Sequence, residues 1–186
     1  MRMETRTRQR RAMAVEARPR RRCVVVVGVL TGAVALMGAA CDEDDGPTVP
    51  SQAVEIPAQD VDTLLAETAS GVADRQRLVL RSASEWNAFW AEAHADRSPA
   101  PDAPAVDFER STVIAAAMGS RPSGGYRIGI EEVHHTDDAL WVVVRETAPG
   151  DSCVTTGVLT HPVTAVRVPW TGGEVRFVER EAVQEC

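Results

Sequence analysis

The sequence predicts an α+β or mainly-β domain, built on an antiparallel sheet or small barrel with one packed amphipathic helix at about residues 82–95. Two observations carry the sheet. Tyr126, Ile128 and Ile130 alternate with Arg127, Gly129 and Glu131, and Leu140, Val142 and Val144 alternate with Trp141, Val143 and Arg145. Turn-forming segments recur about every 8–12 residues between such runs, the spacing of short antiparallel strands. A third observation carries the helix: Trp86, Phe89, Trp90 and Ala93 fall at i, i+3, i+4 and i+7 and so share one face. One helix added to several strands gives that class.

In chain order, residues 1–40 differ in kind from the rest. They hold nine Arg and two Glu, a charge of +7, whereas the remaining 11 basic and 25 acidic residues give −14. So acidic a part is repelled by phosphates, which argues against nucleic acid or anionic lipid as a partner. Arg18 to Arg22 supply a positive flank, Val24–Ala40 are apolar or small, and Gly38-Ala39-Ala40 stand just before Cys41. That is the pattern of an export signal. A Cys directly after small residues resembles the lipobox of bacterial lipoproteins, which implies cleavage before Cys41 and lipidation of Cys41. Gly38 stands where the lipobox usually has Leu. The uncharged stretch Cys23–Ala40 is also close to the roughly 18–20 residues that span a bilayer, so a retained helix is the alternative. Both readings leave the positive flank in the cytoplasm and export the C-terminal part, to the periplasm or outer surface of a cell envelope. Arg21-Arg22 adds a weak likeness to a twin-arginine signal.

With Cys23 removed and Cys41 lipidated, Cys153 and Cys186 remain, and an even pair in an oxidising compartment predicts one disulfide. It would close a loop of about 34 residues and contribute roughly 3–4 kcal/mol. Residues 41–53 read as an acidic, Pro-containing tether. Asp42 to Asp45 form one block of acids followed by Gly46, Pro47 and Pro50, with no apolar periodicity to bury. Calcium loops space their carboxylates through a turn, which this block does not.

The domain proper is expected over residues 54–186. Val61 to Thr68 and Arg77 to Arg81 read as strands around a Ser70-Gly71 turn, and Leu78-Val79-Leu80 implies burial on both faces. Ser82-Ala83-Ser84-Glu85 fits a capping box at the helix start. His94 at the helix end complements its dipole. The aromatic stripe is read as core rather than as a ligand patch. Arg97 to Pro104, with three prolines, is an extended loop, and Asp107 is read as a turn residue. Strands follow at Ser111 to Met118, Tyr126 to Glu131, Leu140 to Arg145, Val163 to Val168 and Val175 to Val178. His134 to Asp138 is read as a turn and Thr171-Gly172-Gly173 as the last tight turn.

Gly119-Ser120-Arg121-Pro122-Ser123-Gly124-Gly125-Tyr126 joins two of these strands. Glycines allow φ > 0 and close approach of another chain, while Pro122 fixes its own φ and extends Arg121. The loop is therefore rigid and shaped, a candidate for recognition. No catalytic signature stands out. His134-His135 with Asp137-Asp138 is the one cluster with metal-ligand chemistry, but adjacent strand residues face opposite ways, so no metal or cofactor is expected. No serine sits in a nucleophile elbow.

Glu85-Trp86, Trp90, Val106-Asp107-Phe108, Val113-Ile114, Gly119, Arg121 to Tyr126, Pro149-Gly150 and Thr160-His161-Pro162 stand in one order. Together they resemble the C-terminal domain of the protease complex subunit PrcB family, over about residues 55–180. His161-Pro162-Val163 departs from it, where an aromatic is expected near the proline. The resemblance implies an exported, non-enzymatic accessory domain, attached to an extracytoplasmic protease or envelope complex and binding an exported protein, with no catalytic residue. A weaker likeness joins the chain to chagasin-type inhibitors of cysteine proteases. Arg121 to Tyr126 is similar to their first loop, and Arg167-Val168-Pro169-Trp170 to their second, with Val168 inserted. That alternative requires Tyr126 and Trp170 exposed at one end of the fold. A third reading has Arg121 and the loop amides hold an anion or small ligand in a concave pocket.

Overall fold

The computed structural model describes residues 46–186. In chain order its elements are β1 (Val54–Glu55), a 3-10 turn (Ala58–Asp60), β2 (Asp62–Glu67), β3 (Arg75–Leu80), α1 (Ala83–Ala93), β4 (Thr112–Met118), β5 (Arg127–His135), β6 (Ala139–Pro149), β7 (Val163–Val168) and β8 (Glu174–Gln184).

An apolar run without alternation makes a stable strand only where both faces are covered. Thr112–Met118 is such a run, and all seven residues of β4 are buried. On one side Ala115 and Ala117 face the helix; on the other Ile114 and Ala116 face a second sheet. Three layers result: α1, the sheet β2-β7-β4-β3, and the sheet β1-β5-β6-β8. The mainly-β class with one packed helix holds, but the strands form two stacked sheets and neither closes into a barrel. Leu78 and Leu80 of β3 turn toward the helix layer and Val79 toward the other sheet, as the apolar triplet implies.

Two strand ends differ from expectation. His134 and His135 lie within β5, opposite Trp141 and Leu140, and the turn is confined to Thr136–Asp138. Thr171–Gly173 is not a hairpin turn. β7 belongs to the helix-side sheet, so the chain crosses layers after Val168 and returns as β8 alongside β6, in parallel, over eleven residue pairs. A parallel neighbour requires such a crossover; here a strand of the other sheet supplies it. Gly173, at φ 74°, makes the return, and a Cβ there would meet the Asp138 carbonyl oxygen at 2.5 Å.

The helix forms where its cap and stripe predict. The Ser82 hydroxyl accepts from the Glu85 amide at 3.3 Å, and the Glu85 carboxylate reaches back to the Arg81 amide at 2.8 Å. Trp86, Phe89, Trp90 and Ala93 are buried on the small side chains of β4. Each large apolar side chain so buried contributes about 1.5–3 kcal/mol. The indole N–H groups of Trp86 and Trp90 donate to the carbonyls of Pro104 and Pro101, at 2.9 and 2.8 Å, and so tie the proline-rich loop to the helix. At the helix end the buried His94 bonds the Trp90 carbonyl through Nδ1 at 2.9 Å. A carbonyl only accepts, so Nδ1 carries the proton.

The outer face of the β1-β5-β6-β8 sheet carries a small cluster of Ala139, Trp141, Val143 and Val178, and Val49 packs on it. Residues 46–53 group with β1 to β8 in one compact unit. At the far end Cys153 and Cys186 are joined by a disulfide with Cα atoms 5.1 Å apart. The Gly150 N–H donates to the Gln184 carbonyl at 2.9 Å. The disulfide thus pins the end of β8 to the loop after β6. Reducing it, or substituting both Cys153→Ser and Cys186→Ser, is expected to lower the unfolding free energy by about 3–4 kcal/mol. Urea denaturation with and without reductant measures this, and an unchanged midpoint would contradict it.

Candidate functional site

The Gly119–Tyr126 loop leaves β4 at one end of the sandwich and is held by its own neighbours. Gly119 has φ 74°, and a Cβ there would stand 2.8 Å from the Arg75 amide nitrogen. A Cβ on Gly124 would meet the Thr156 hydroxyl at 2.6 Å, and one on Gly125 the Pro149 ring at 3.0 Å. The glycines are therefore needed for close approach, but to this chain's own loops. The amides of Ser120, Arg121 and Gly124 donate to the carbonyls of Ala73, Thr160 and Thr156, at 2.8–2.9 Å. Those three amides are occupied within the chain and are not free to hold an anion.

The charge at this end comes from elsewhere. Arg75 and Arg77 stand two apart on β3 and point the same way, toward the second sheet. There they meet Glu146 of β6 and Glu179 of β8. Glu146 accepts from Arg75 Nε at 2.8 Å, from Arg77 Nη2 at 2.5 Å and from Arg121 Nη2 at 3.2 Å. Arg77 also grips Glu179 in a two-point fork, at 2.9 and 2.7 Å. Its remaining donors go to the carbonyls of Gln76 and Ala117, so all five N–H groups of Arg77 are used. Burial pushes the Glu146 carboxyl up, but the bonds from Arg77 and Arg75 outweigh it and hold it below the usual carboxylate range. Burial likewise opposes the Arg77 charge, and Glu179 and Glu146 overcome it.

Beyond this cluster β6 and β8 run on past the end of β3 and β4. The overhang leaves a cavity of about 300 Å³. Met118, Arg121 and Tyr126 line it from the β4–β5 side, and Glu146, Ala148, Glu181, Ala182 and Val183 from β6 and β8. The Arg121 guanidinium lies over the Tyr126 ring, 5.7 Å from its centre. A concave pocket at the loop with Arg121 in its wall is therefore present.

Trp170 is not part of this end. β7 runs antiparallel to β4, with Val168 opposite Thr112. Trp170 thus follows the edge from which β4 starts, and its carbonyl accepts from the Thr112 hydroxyl. The Gly119–Tyr126 loop lies at the other end of β4, about 20 Å away at 3.3 Å per residue. Trp170 packs on His135 instead, ring centres 5.9 Å apart. Two loops at opposite ends cannot enter one protease cleft together, so the chagasin-like arrangement is overturned. His134 and His135 point to opposite faces, and His134 bonds Glu132 at 3.0 Å. Asp107 makes a turn, its carboxylate accepting the Glu109 amide at 3.0 Å. Cys41 and the stretch read as an export signal, residues 1–40, lie outside the described residues.

Residues 112–169 match the family model of the PrcB C-terminal domain. The likeness read from the Gly119–Tyr126 motif is thereby borne out, over β4 to the end of β7 rather than over residues 55–180. No curated protein and no solved structure matches the chain. The PrcB-matching segment holds Arg121, Tyr126, Glu146 and Ala148, while Arg75, Arg77 and the β8 residues lie outside it.

Sequence reasoning missed the ion cluster. A signal existed: inward positions of β6 read Leu140, Val142, Val144, then Glu146, and an acid in that row needs a buried cation. Because the folded-state pKa of Glu146 lies below its unfolded value, its stabilisation is present above about pH 4.3 and is lost as pH falls through the folded value. Stability of the wild type is therefore expected to drop more steeply on acidification below about pH 4 than that of Glu146→Gln. At pH 7 the variant should be less stable by about 3 kcal/mol, the low end for a broken buried pair because Glu179 still holds Arg77. Denaturant midpoints across pH 3–7 measure both, and parallel pH profiles would contradict the assignment.

Proposed function

We propose that the chain is an exported, lipid-anchored, non-enzymatic accessory domain that docks an exported protein, a protease or envelope component, through the loop end of the sandwich. The PrcB match supports the accessory role. The observation that carries the docking face is the segment between β6 and β7. Val154, Val158 and Leu159 are 102%, 63% and 59% exposed there. Apolar side chains so displayed on an ordered segment mark interaction surfaces. The segment is ordered at both ends: the disulfide holds Cys153, and Arg121 and Thr160 exchange two backbone hydrogen bonds. Little ordering entropy is then lost when a partner arrives.

Charge narrows the partner. Residues 46–186 hold 11 basic and 21 acidic residues, a net of −10. A partner with an apolar patch in a basic surround is favoured over an acidic one. Lipidation at Cys41 would hold the domain at the membrane of the cell envelope by its N-terminal side.

Two measurements test this. Fractionation should find the wild type in the membrane fraction and Cys41→Ala in the soluble one; a variant that stays with the membrane would favour a retained helix. Affinity capture with the whole chain should recover an exported protein that Val158→Asp with Leu159→Asp recovers at least tenfold less, while Glu109→Ala is unchanged. Equal recovery by all three would overturn the docking face.

A further inference from the structure

We infer that the cavity beside Arg121 receives a carboxylate attached to an apolar residue, supplied by the C-terminus of a peptide chain. For the source of that peptide the inference rests on the docking reading above; for the cavity's chemistry it rests on the site alone.

The first observation is an imbalance of donors. Arg77, deeper in the cluster, uses all five N–H groups within the protein. Arg121 makes one side-chain hydrogen bond among the described residues, the 3.2 Å contact to Glu146. That carboxylate is already held by Arg75 and Arg77 at shorter range. Arg121 Nε is buried with no partner among the described residues. Three guanidinium groups thus converge on Glu146 and Glu179, and Arg121, the outermost, keeps donors that neither carboxylate takes up. A guanidinium in the wall of a cavity with unused donors is suited to a planar carboxylate, which it binds through two parallel bonds. The Tyr126 ring beneath it fixes the plane.

The second observation is the apolar lining. Ala148, Ala182 and Val183 line the cavity together with Met118, and Val183 is 64% exposed. An apolar side chain adjoining the carboxylate would cover that surface. The third is Glu181. It lines the same cavity and forms no ion pair among the described residues. An acceptor there suits the N–H that every peptide carries one bond beyond its terminal Cα. Carboxylate, apolar side chain and N–H together define the last residue of a chain, and capture of chain termini is a recurring mode of peptide recognition. A free apolar amino acid presents the same three groups, with an ammonium in place of the amide.

The test is a titration of the whole chain with N-acetyl-Ala-Ala-Ala-Leu, its C-terminal amide, and free leucine. The acid peptide is expected to bind, and the amide at least tenfold more weakly, because one charge-assisted contact is lost. Arg121→Gln should weaken the acid peptide to the level of the amide. Val183→Asp, outside the ion cluster, should abolish binding without a change in thermal midpoint. That second variant keeps the result readable if Arg121→Gln perturbs the fold. Free leucine binding as tightly as the peptide would support the chemistry and assign the source to a small molecule. Equal affinity for acid and amide, or no binding of any probe, would overturn the inference. Peptide binding retained in Val158→Asp with Leu159→Asp, alongside lost partner capture, separates the cavity from the docking face.

Discussion

Strand β4 has no face left for water, and the rest of the domain follows from covering it. Its seven residues are buried, so a layer is required on each side. On the helix side the covering groups are large, Trp86, Phe89 and Trp90, and the strand supplies Ala115 and Ala117 beneath them. Bulk against small side chains lets an interior reach close packing without forcing rotamers. On the other side Ile114 and Ala116 meet Val142, Val144 and Val166. Neither sheet could stand alone. Without the second sheet the alternate face of β4 is bare, and without the helix Ala115 and Ala117 pack on nothing. The three layers are thus one cooperative unit organised about a single strand.

That requirement ends where β4 ends, at Met118, and there the interior changes character. The inward row of β6 passes from Val144 to Glu146, and that of β8 from Phe177 to Glu179. Placing acids in this row is costly unless guanidinium groups meet them in good geometry. Arg77 does so completely, with every donor engaged. An apolar row of the same volume could be as stable, so stability alone does not account for the charges. What they do provide is a boundary: they close the apolar core with a layer that tolerates water, beyond which β6 and β8 continue as an open shelf. The cavity is a consequence of strands longer than the core they line.

The sequence made the elements legible because each rests on a local signal. The Ser82–Glu85 box and the Trp86–Ala93 stripe need no partner to be read, and alternation in β5 and β6 needs only a half-covered sheet. The sheet connectivity was not legible. Val163–Val168 and Val175–Val178 read as consecutive strands of one series joined by a tight Gly-containing turn, yet they enter different sheets. Nothing local distinguishes a turn within a sheet from a crossing between sheets. Parallel pairing of β6 with β8 depends on that crossing. The site was half legible for the same reason. Arg121 and Tyr126 announce themselves in a motif, whereas Glu146, Glu181 and Val183 join them only through the parallel pair.

The glycine-rich loop shows where a motif misleads. Read alone, glycines that permit close approach suggest an external partner. The close approach is real, but the partner is internal: Thr156 and Pro149 press on Gly124 and Gly125, and Arg75 on Gly119. The loop is a mount. Its rigidity is transmitted outward to the segment it grips, residues 150–160, and inward to Arg121, whose backbone both donates to and accepts from Thr160. Substituting the glycines would therefore disturb the cavity wall and the exposed Val158 and Leu159 together. The glycines of the motif fix the mount, while Arg121 and Tyr126 of the same motif face the cavity.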